Sequence, residues 1–176
     1  VTVRVSLGGQ QIQEDVVLAY QLVDRDGKQV AGGKSTVSIM EKPLCFETEG
    51  VQDWEITNPY MYTLELTLSD KNENLLDEHS VRFGFRTCEF RRDGFYLNGK
   101  KIKLIGLNRH QSYPYAGYAM PKRLQERDAE ILKEELQVNA VRTSHYPQSQ
   151  HFINRCDELG LLVFTEIPGW QHIGDE

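Results

Sequence analysis

The sequence contains little cysteine and no long apolar run. Its three cysteines, Cys45, Cys88 and Cys156, lie far apart and form no CxxC pair, so we expect three free thiols rather than a disulfide framework or a zinc site. No apolar run approaches the roughly 20 residues that a helix needs to span a bilayer. These absences argue against a disulfide scaffold, a zinc finger and a membrane partner.

Positive charge is also scarce. The 176 residues include 20 lysines and arginines against 26 aspartates and glutamates, which gives a formal net charge of -6 at pH 7. No basic tract is longer than Arg91-Arg92 or Lys100-Lys101, so we expect no nucleic acid partner. The sequence starts at Val1 without an initiator methionine or a leader segment. We therefore expect a mature product or an excised piece, and its localisation stays unknown.

The first half of the sequence is a series of short β-type runs separated by turns, among them residues 1–7 and 34–40. Asp26-Gly27 lies between two such runs and is a strong hairpin signal. In the run from Met61 to Ser69 apolar and polar residues alternate, so this strand should bury one face. Several short strands at this spacing, with no helical period among them, predict an all-β sandwich of roughly seven strands.

The second half, residues 88–176, alternates strands with helices. A buried strand is predicted at residues 104–107, followed by an amphipathic helix over 121–136 that packs Leu136 and leaves Lys133 in solvent. Another strand begins at Asn139, and after a second helix the apolar run 161–164 predicts a strand buried on both faces. This alternation predicts a parallel sheet, in which the chemistry lies at the carboxyl ends of the strands.

Polar side chains follow each predicted strand of this sheet. They are Asn108, Arg109 and His110 after the first strand, Arg142, Thr143, Ser144 and His145 after the second, and Glu166 after the third. In a parallel barrel these ends meet at one rim, where planar multi-donor groups and imidazoles suit the hydroxyls of a sugar. Aromatic residues are nearby, at Tyr113, Tyr115, Tyr118, Tyr146 and Trp170. The sequence therefore predicts a site for a polyhydroxylated ligand.

Structural interpretations of the same residues stay open. Neighbouring backbone could satisfy His110 and His145, although their joint placement at successive strand ends favours a function. Arg142 could be an ion-paired rim residue, with Glu166 as its buried carboxylate partner. Ser144 is not favoured as a nucleophile, because adjacent strand residues face opposite sides and no G-x-S-x-G elbow exists.

Several stretches resemble glycoside hydrolase family 2, the family of β-galactosidases, β-glucuronidases and β-mannosidases. Residues 139–164 fit the family pattern N-x-apolar-R-small-small-H-Y-P, then two apolar residues, D-x-x-G and four apolar residues. Residues 106–110, GLNRH, resemble the G-V-N-R-H stretch at the end of the first barrel strand. Residues 83–86, FGFR, and 94–99, GFYLNG, resemble the junction between the sandwich and the barrel of this family.

The resemblance implies an all-β immunoglobulin-like sandwich, residues 1–87, followed by the first β/α units of a TIM (β/α)8 barrel, residues 88–176, truncated after about three units. It also implies a retaining mechanism with two glutamates, an acid/base and a nucleophile, about 5 Å apart. In the family these lie on the fourth and seventh barrel strands, beyond residue 176. We therefore assign no catalytic residue to this chain and expect it to be inactive alone.

The predicted substrate-binding residues are His110, His145, Arg142, Asn108 and Trp170. In the resemblance, the two histidines fall on positions that line the sugar subsite, and Arg142 falls on a rim position that supports the nucleophile. Glu166 matches the acidic position of the third strand, which is not the acid/base. We therefore describe Glu166 as a rim carboxylate.

Two departures from the family pattern bear on substrate and metal. The family's glucuronidases tend to follow the first-strand histidine with an acidic stretch resembling E-D-x-D-x-R-G, whereas residues 111–117 are QSYPYAG. This difference favours β-galactosides. Magnesium-dependent galactosidases of the family carry Glu-x-His where this chain has Trp170-Gln171-His172. We expect no cofactor and no metal site here, while Mg²⁺ in a longer parent protein stays open.

The favoured hypothesis is therefore part of a β-galactosidase whose partner is a β-galactoside or a related carbohydrate. A β-glucuronidase or a β-mannosidase of the same family is the alternative, and a non-enzymatic carbohydrate-binding module is the rival from another class. An Asn-Glu pair on a fourth strand and a further Glu on a seventh would support the enzyme. Whether the parent is a homo-oligomer, and whether it is a bacterial-type cytoplasmic or periplasmic protein, stays open.

Overall fold

The computed structural model describes residues 1–4, 16–37 and 44–168. The chain divides into two compact units, the first comprising Val1–Gln52 and Met61–Phe83, and the second comprising Asp53–Tyr60 and Gly84–Glu176. Parts of the predicted strands at residues 1–7 and 34–40 lie outside the described residues, as do the predicted Trp170 and its neighbours. The predicted domain boundary near Thr87 stays a prediction.

Antiparallel strands make up the first unit. Its described strands are β1 (Thr2–Val3), β2 (Val16–Val23), β3 (Gln29–Val37), β4 (Leu44–Cys45), β5 (Tyr62–Ser69) and β6 (Leu75–Phe83). Four of them form one sheet in the order β3-β2-β5-β6, and β1 pairs with β4 in a second sheet. The described part of the unit is all-β, as predicted, and nothing in it conflicts with a sandwich.

The alternating pattern of β5 determines which face of the larger sheet is buried. Tyr62, Leu64 and Leu66 are buried while Glu65 is exposed, so the predicted alternation is confirmed. Leu22 of β2, which is fully buried, lies directly opposite Leu64 in the antiparallel register. Cross-strand pairs of this kind stabilise a sheet, because their side chains are in contact on one face.

The second unit contains an antiparallel and a parallel sheet. Its strands are β7 (Cys88–Arg91), β8 (Gly94–Leu97), β9 (Lys100–Ile102), β10 (Gly106–Arg109), β11 (Ala140–Thr143) and β12 (Leu162–Phe164). Strands β7, β8 and β9 form an antiparallel sheet, and β10, β11 and β12 form a parallel one in that order. The predicted parallel sheet is thus present.

Two helices connect the parallel strands. Helix α1 (Lys122–Glu130) continues into a π-helical turn (Ile131–Glu135), and α2 is Gln150–Leu159. The buried core between helices and sheet comprises Ala129, Leu132, Val138, Val141, Phe152, Cys156 and Leu161. Ser149 caps α2 by accepting a hydrogen bond from the backbone of His151. Neither helix, nor any other in the described part of the chain, is long and apolar enough to cross a bilayer.

The π-helical turn corrects the prediction of a single amphipathic helix over residues 121–136. The backbone N–H of Leu136 donates to the carbonyl of Ile131, five residues earlier, which widens the turn and rotates its faces. Leu136, predicted to pack, is consequently 53% exposed. Lys133, predicted to face solvent, donates from Nζ to the carbonyl oxygens of Ile56 at 2.8 Å and Gly160 at 3.0 Å.

Two strands are less buried than their apolar sequences predicted. In and before β10, Ile105 and Leu107 are 54% and 47% exposed, because β10 pairs with a strand on one side only within the described residues. The run at residues 161–164 is buried at Leu161 and Leu162 but exposed at Phe164. The prediction of a buried strand is therefore wrong for β10, and the prediction of burial on both faces is wrong for the end of β12.

The segment Asp53–Tyr60 belongs to the second unit although its sequence neighbours belong to the first. Trp54 is fully buried, and its indole Nε1 donates to the carbonyl of Asp157 at 2.7 Å. The Arg86 guanidinium stacks on the indole, 4.5 Å from the ring centre. These contacts tie α2 to a segment more than 100 residues earlier in the chain.

Candidate functional site

The parallel register brings the polar strand ends together. Asn108 of β10 lies opposite Arg142 of β11, and Arg142 in turn lies opposite Phe164 of β12, two residues before Glu166. The carboxyl ends of neighbouring parallel strands share one edge, so side chains that follow them meet there. The polar rim that the sequence predicted is therefore formed by His110, His145, Arg142, Asn108 and Glu166.

Glu166 is the charged centre of this rim. One of its carboxylate oxygens forms an ion pair with Nε of Arg142, and the other lies 3.2 Å from Nδ1 of His145. The buried Thr143 hydroxyl accepts a hydrogen bond from the backbone N–H of Glu166 at 3.1 Å and donates to the carbonyl of Phe164 at 3.2 Å. The ion pair between Arg142 and Glu166 that the sequence left open is thus present.

The two predicted histidines lie side by side. The ring centres of His110 and His145 are 5.6 Å apart, with ring planes at 74°. His110 is exposed, whereas His145 is only partly so. The ring centre of Tyr146 lies 6.1 Å from that of His110, and the ring centre of Tyr118 lies 6.0 Å from that of Tyr146. Rings that carry N–H and O–H groups beside apolar faces suit a sugar, which presents both hydroxyls and C–H surfaces.

Arg109 does not belong to the rim, contrary to the sequence interpretation that grouped it with Asn108 and His110. It is 6% exposed, and its guanidinium stacks on the Phe152 ring at 3.9 Å. Successive side chains of a strand point to opposite faces, so the exposed Asn108 and His110 require Arg109 to point inward. That alternation was the signal in the sequence that identifies its direction.

Two glutamines near the rim were missed by the sequence analysis. Gln148 pairs with Arg109, and the side-chain oxygen of Gln111 accepts a hydrogen bond from the backbone N–H of Ser149 at 2.6 Å. Neither residue has a local pattern that marks it, because both contacts join parts of the chain more than 35 residues apart.

Ser144 is almost completely buried beneath the rim, at 1% exposure, and the peptide bond that joins it to His145 is cis. A hydroxyl at that depth is not accessible to a substrate. Trp170, the fifth predicted binding residue, lies outside the described residues, so its role stays a prediction. Within the described ranges no three histidine, cysteine or acidic side chains cluster as metal ligands. The expectation that the chain has no cofactor stays a prediction.

Comparisons with known proteins identify the class. The family model described as "Glycosyl hydrolases family 2" matches residues 1–86, and the model described as "Glycosyl hydrolases family 2, TIM barrel domain" matches residues 88–174. A polar rim at the carboxyl ends of parallel strands, in a region matched by a barrel domain, lies where barrel enzymes place their active sites. The chain belongs to glycoside hydrolase family 2, and the resemblance seen in the sequence is confirmed.

Similar proteins include two β-galactosidases. That of Thermoanaerobacterium thermosulfurigenes is 53% identical over 166 residues, covering 92% of this chain and 23% of the relative. That of Thermoanaerobacter pseudethanolicus is 45% identical over 179 residues, covering 100% of this chain and 24% of the relative. The crystal structure of a Bacteroides uniformis β-glucuronidase is similar with a TM-score of 0.82 at 30% identity, over 93% of this chain and 20% of that one. The chain spans about a quarter of the length of the curated relatives it matches.

Proposed function

We propose that this chain supplies one wall of the sugar subsite in a retaining glycoside hydrolase that cleaves terminal β-glycosidic bonds, with β-galactosides as its substrates. One observation carries the proposal: His110 and His145 lie 5.6 Å apart at the ends of neighbouring parallel strands. Two imidazoles at this spacing can each contact a different hydroxyl of one sugar ring. The high identity to two β-galactosidases supports the choice of galactoside.

The role of His145 follows from its hydrogen bond to Glu166. A hydrogen bond between Nδ1 of an imidazole and a carboxylate fixes the orientation of the ring. Glu166 is itself paired with Arg142, so its charge is compensated and its orientation is fixed. We therefore assign it to positioning His145 rather than to transferring a proton.

The catalytic glutamates belong to other parts of the whole enzyme in this proposal. Retaining glycosidases need an acid/base and a nucleophile on either side of the scissile bond, about 5 Å apart. Among the described residues Glu166 is the carboxylate at the rim. It is paired with Arg142 and lies within hydrogen-bond distance of His145. The chain by itself is therefore expected to bind sugar weakly and to hydrolyse nothing.

The test is a substrate panel on the full-length protein. We expect kcat/KM to be highest for nitrophenyl β-galactoside among the galactoside, glucuronide and mannoside, and the first sugar product seen by NMR to retain the β configuration. Preference for the glucuronide, which the similarity to β-glucuronidases makes the second candidate, would replace the substrate but keep the reaction. Binding of galactosides without any hydrolysis would instead favour a carbohydrate-binding module.

A further inference from the structure

Arg109 is a buried cation whose hydrogen bonds all go to groups on other elements. Its Nε lies 2.9 Å and its Nη2 2.8 Å from a carboxylate oxygen of Asp128 in α1. Nη2 also donates to the side-chain oxygen of Gln125 at 2.8 Å, and Nη1 donates to that of Gln148 at 2.5 Å. A buried guanidinium is tolerated only when its donors are satisfied and its charge is paired. Arg109 therefore joins β10 to α1 and to the segment that follows β11 through hydrogen bonds.

Gln148 returns a second hydrogen bond to the same residue. Its Nε2 donates to the backbone carbonyl of Arg109 at 2.6 Å, so the two residues are joined by one side-chain bond and one backbone bond. That carbonyl belongs to the peptide group that leads directly into His110. The pair therefore fixes the backbone on the amino-terminal side of His110.

Tyr146 and Ser149 fix the backbone on the other side. The backbone N–H of Gln111 donates to the Tyr146 hydroxyl at 2.9 Å, and the backbone N–H of Ser149 donates to the Gln111 side chain at 2.6 Å. His110 is consequently held before and after its own position by the segment that follows β11. The same segment carries His145, immediately before Tyr146.

We propose that Arg109 and Gln148 are positioning residues for the sugar subsite: by joining the segments after β10 and β11, they determine the spacing between His110 and His145. This inference rests on the proposed function, because it takes the two histidines as the sugar contacts. Neither Arg109 nor Gln148 touches the sugar in this arrangement. A gain in spacing of about 1 Å would take one of the two hydrogen bonds beyond its ordinary length of about 2.7–3.2 Å, and the loss of one such bond weakens binding about two- to tenfold.

The experiment measures inhibition of the full-length enzyme by a thio-linked β-galactoside, which it cannot hydrolyse. Gln148→Leu removes both bonds to Arg109 and should raise the inhibition constant about threefold or more. Arg155→Met is the control, because it too removes a side-chain hydrogen bond between distant segments, here from α2 to Glu130 of α1 at 2.9 Å, but away from the rim. Its inhibition constant should match that of the unaltered enzyme.

A double-mutant cycle separates positioning from mere stabilisation. If Gln148 acts through the histidines, Gln148→Leu should change the inhibition constant much less in a His145→Ala background than in the unaltered enzyme. An inhibition constant unchanged by Gln148→Leu, or an equal effect in both backgrounds, would overturn the proposal. If Gln148→Leu does not fold, Gln148→Glu retains the volume and the acceptor for Arg109 but loses the donor to its carbonyl. It should then raise the inhibition constant in the same direction.

Failure of the proposed function is visible separately. The unaltered enzyme's preference among the three glycosides reports the function, whereas the ratio of inhibition constants between variant and unaltered enzyme reports the positioning. Should the enzyme prefer another glycoside, the thio-linked analogue of that sugar serves for the same ratio. Should it hydrolyse none, direct calorimetric titration with the thio-galactoside gives the ratio as dissociation constants.

Discussion

The Nδ1 atom of His145 lies 3.2 Å from a carboxylate oxygen of Glu166, across the gap between two parallel strands. The other oxygen of Glu166 pairs with Arg142, so one carboxylate orients an imidazole and a guanidinium together. The position of Glu166 depends in turn on the buried Thr143, whose hydroxyl accepts a hydrogen bond from the backbone N–H of Glu166. His145 and the backbone after β12 are thus linked through a short chain of hydrogen bonds.

Glu166→Gln tests this link. The amide keeps the shape of the side chain but loses its charge, so the Arg142 ion pair and the charged hydrogen bond to His145 are both weakened. Hydrogen bonds to charged groups contribute about 1.5–3 kcal/mol, so we expect the inhibition constant for a thio-linked β-galactoside to rise about tenfold or more. The measurement is steady-state inhibition of the full-length enzyme.

Glu134→Gln is the control for that substitution, because Glu134 is an exposed residue in the π-helical turn. It makes the same chemical change away from the rim and should leave inhibition unaltered. Equal inhibition constants for Glu166→Gln and Glu134→Gln would show that Glu166 does not support the sugar subsite.

A second prediction concerns Gly160, which ends α2 in the left-handed conformation with φ of +78°. A Cβ atom there would lie 2.3 Å from the carbonyl oxygen of Ile56, so Gly160→Ala combines backbone strain with a steric clash. Gly99 has a similar φ of +75°, but a Cβ atom at that position would meet no other group within 4 Å. Gly99→Ala therefore reports the strain alone, at about 1–2 kcal/mol.

We expect Gly160→Ala to lower the melting temperature clearly further than Gly99→Ala, since overpacking adds about 1–3 kcal/mol to the strain. Differential scanning calorimetry of both variants gives the comparison. If the two shifts were equal, Ile56 would not pack against the end of α2 as the structure has it.

The position of the rim could be predicted from the sequence, whereas its support could not. Asn108 and Arg142 directly follow apolar runs, and Glu166 follows one after a single threonine. Parallel strands bring such positions together wherever the helices lie. Alternation also indicated the inward direction of Arg109, although grouping residues by polar type obscured it. The periods of side-chain direction, two residues in a strand and 3.6 in a helix, are sufficient for predictions of this kind.

Contacts between distant segments explain what the sequence did not reveal. The π-helical turn allows Lys133 to reach the carbonyl of Ile56, 77 positions earlier in the chain. Trp54 is buried, with a hydrogen bond to the backbone of Asp157, 103 positions later. No pattern within a window of a few residues specifies such partners, so the segment Asp53–Tyr60 could not be assigned to the second unit in advance.

A third prediction concerns thiol reactivity. Burial raises the pKa of the Cys156 thiol to about 12, so about one molecule in 10⁴ carries the reactive thiolate at pH 8. Cys45 and Cys88 are exposed. Maleimide at pH 8 should therefore label those two and leave Cys156 unmodified until denaturant is added, as peptide mapping by mass spectrometry would show. Rapid labelling of Cys156 in the native protein would contradict its burial.

The same pKa gives a fourth prediction, on stability against pH. Between about pH 9, the ordinary pKa of the thiol, and about pH 12, the unfolded chain loses the Cys156 proton while the folded chain keeps it. The folded state then binds more protons, so stability falls as pH rises through this range. The melting temperature of the unaltered protein should fall more between pH 8 and pH 10 than that of Cys156→Ala. Parallel curves would show that the thiol does not contribute.

The central claim is that His110 and His145 bind the sugar that the whole enzyme cleaves. The most direct test is kcat/KM of the full-length protein for nitrophenyl β-galactoside in His145→Ala, with His151→Ala as the control on the exposed surface of α2. We predict a loss of about 100-fold or more for His145→Ala, as for the removal of other preorganised hydrogen-bonding groups, and no change for the control. Similar kcat/KM for both variants and the unaltered enzyme would contradict the claim.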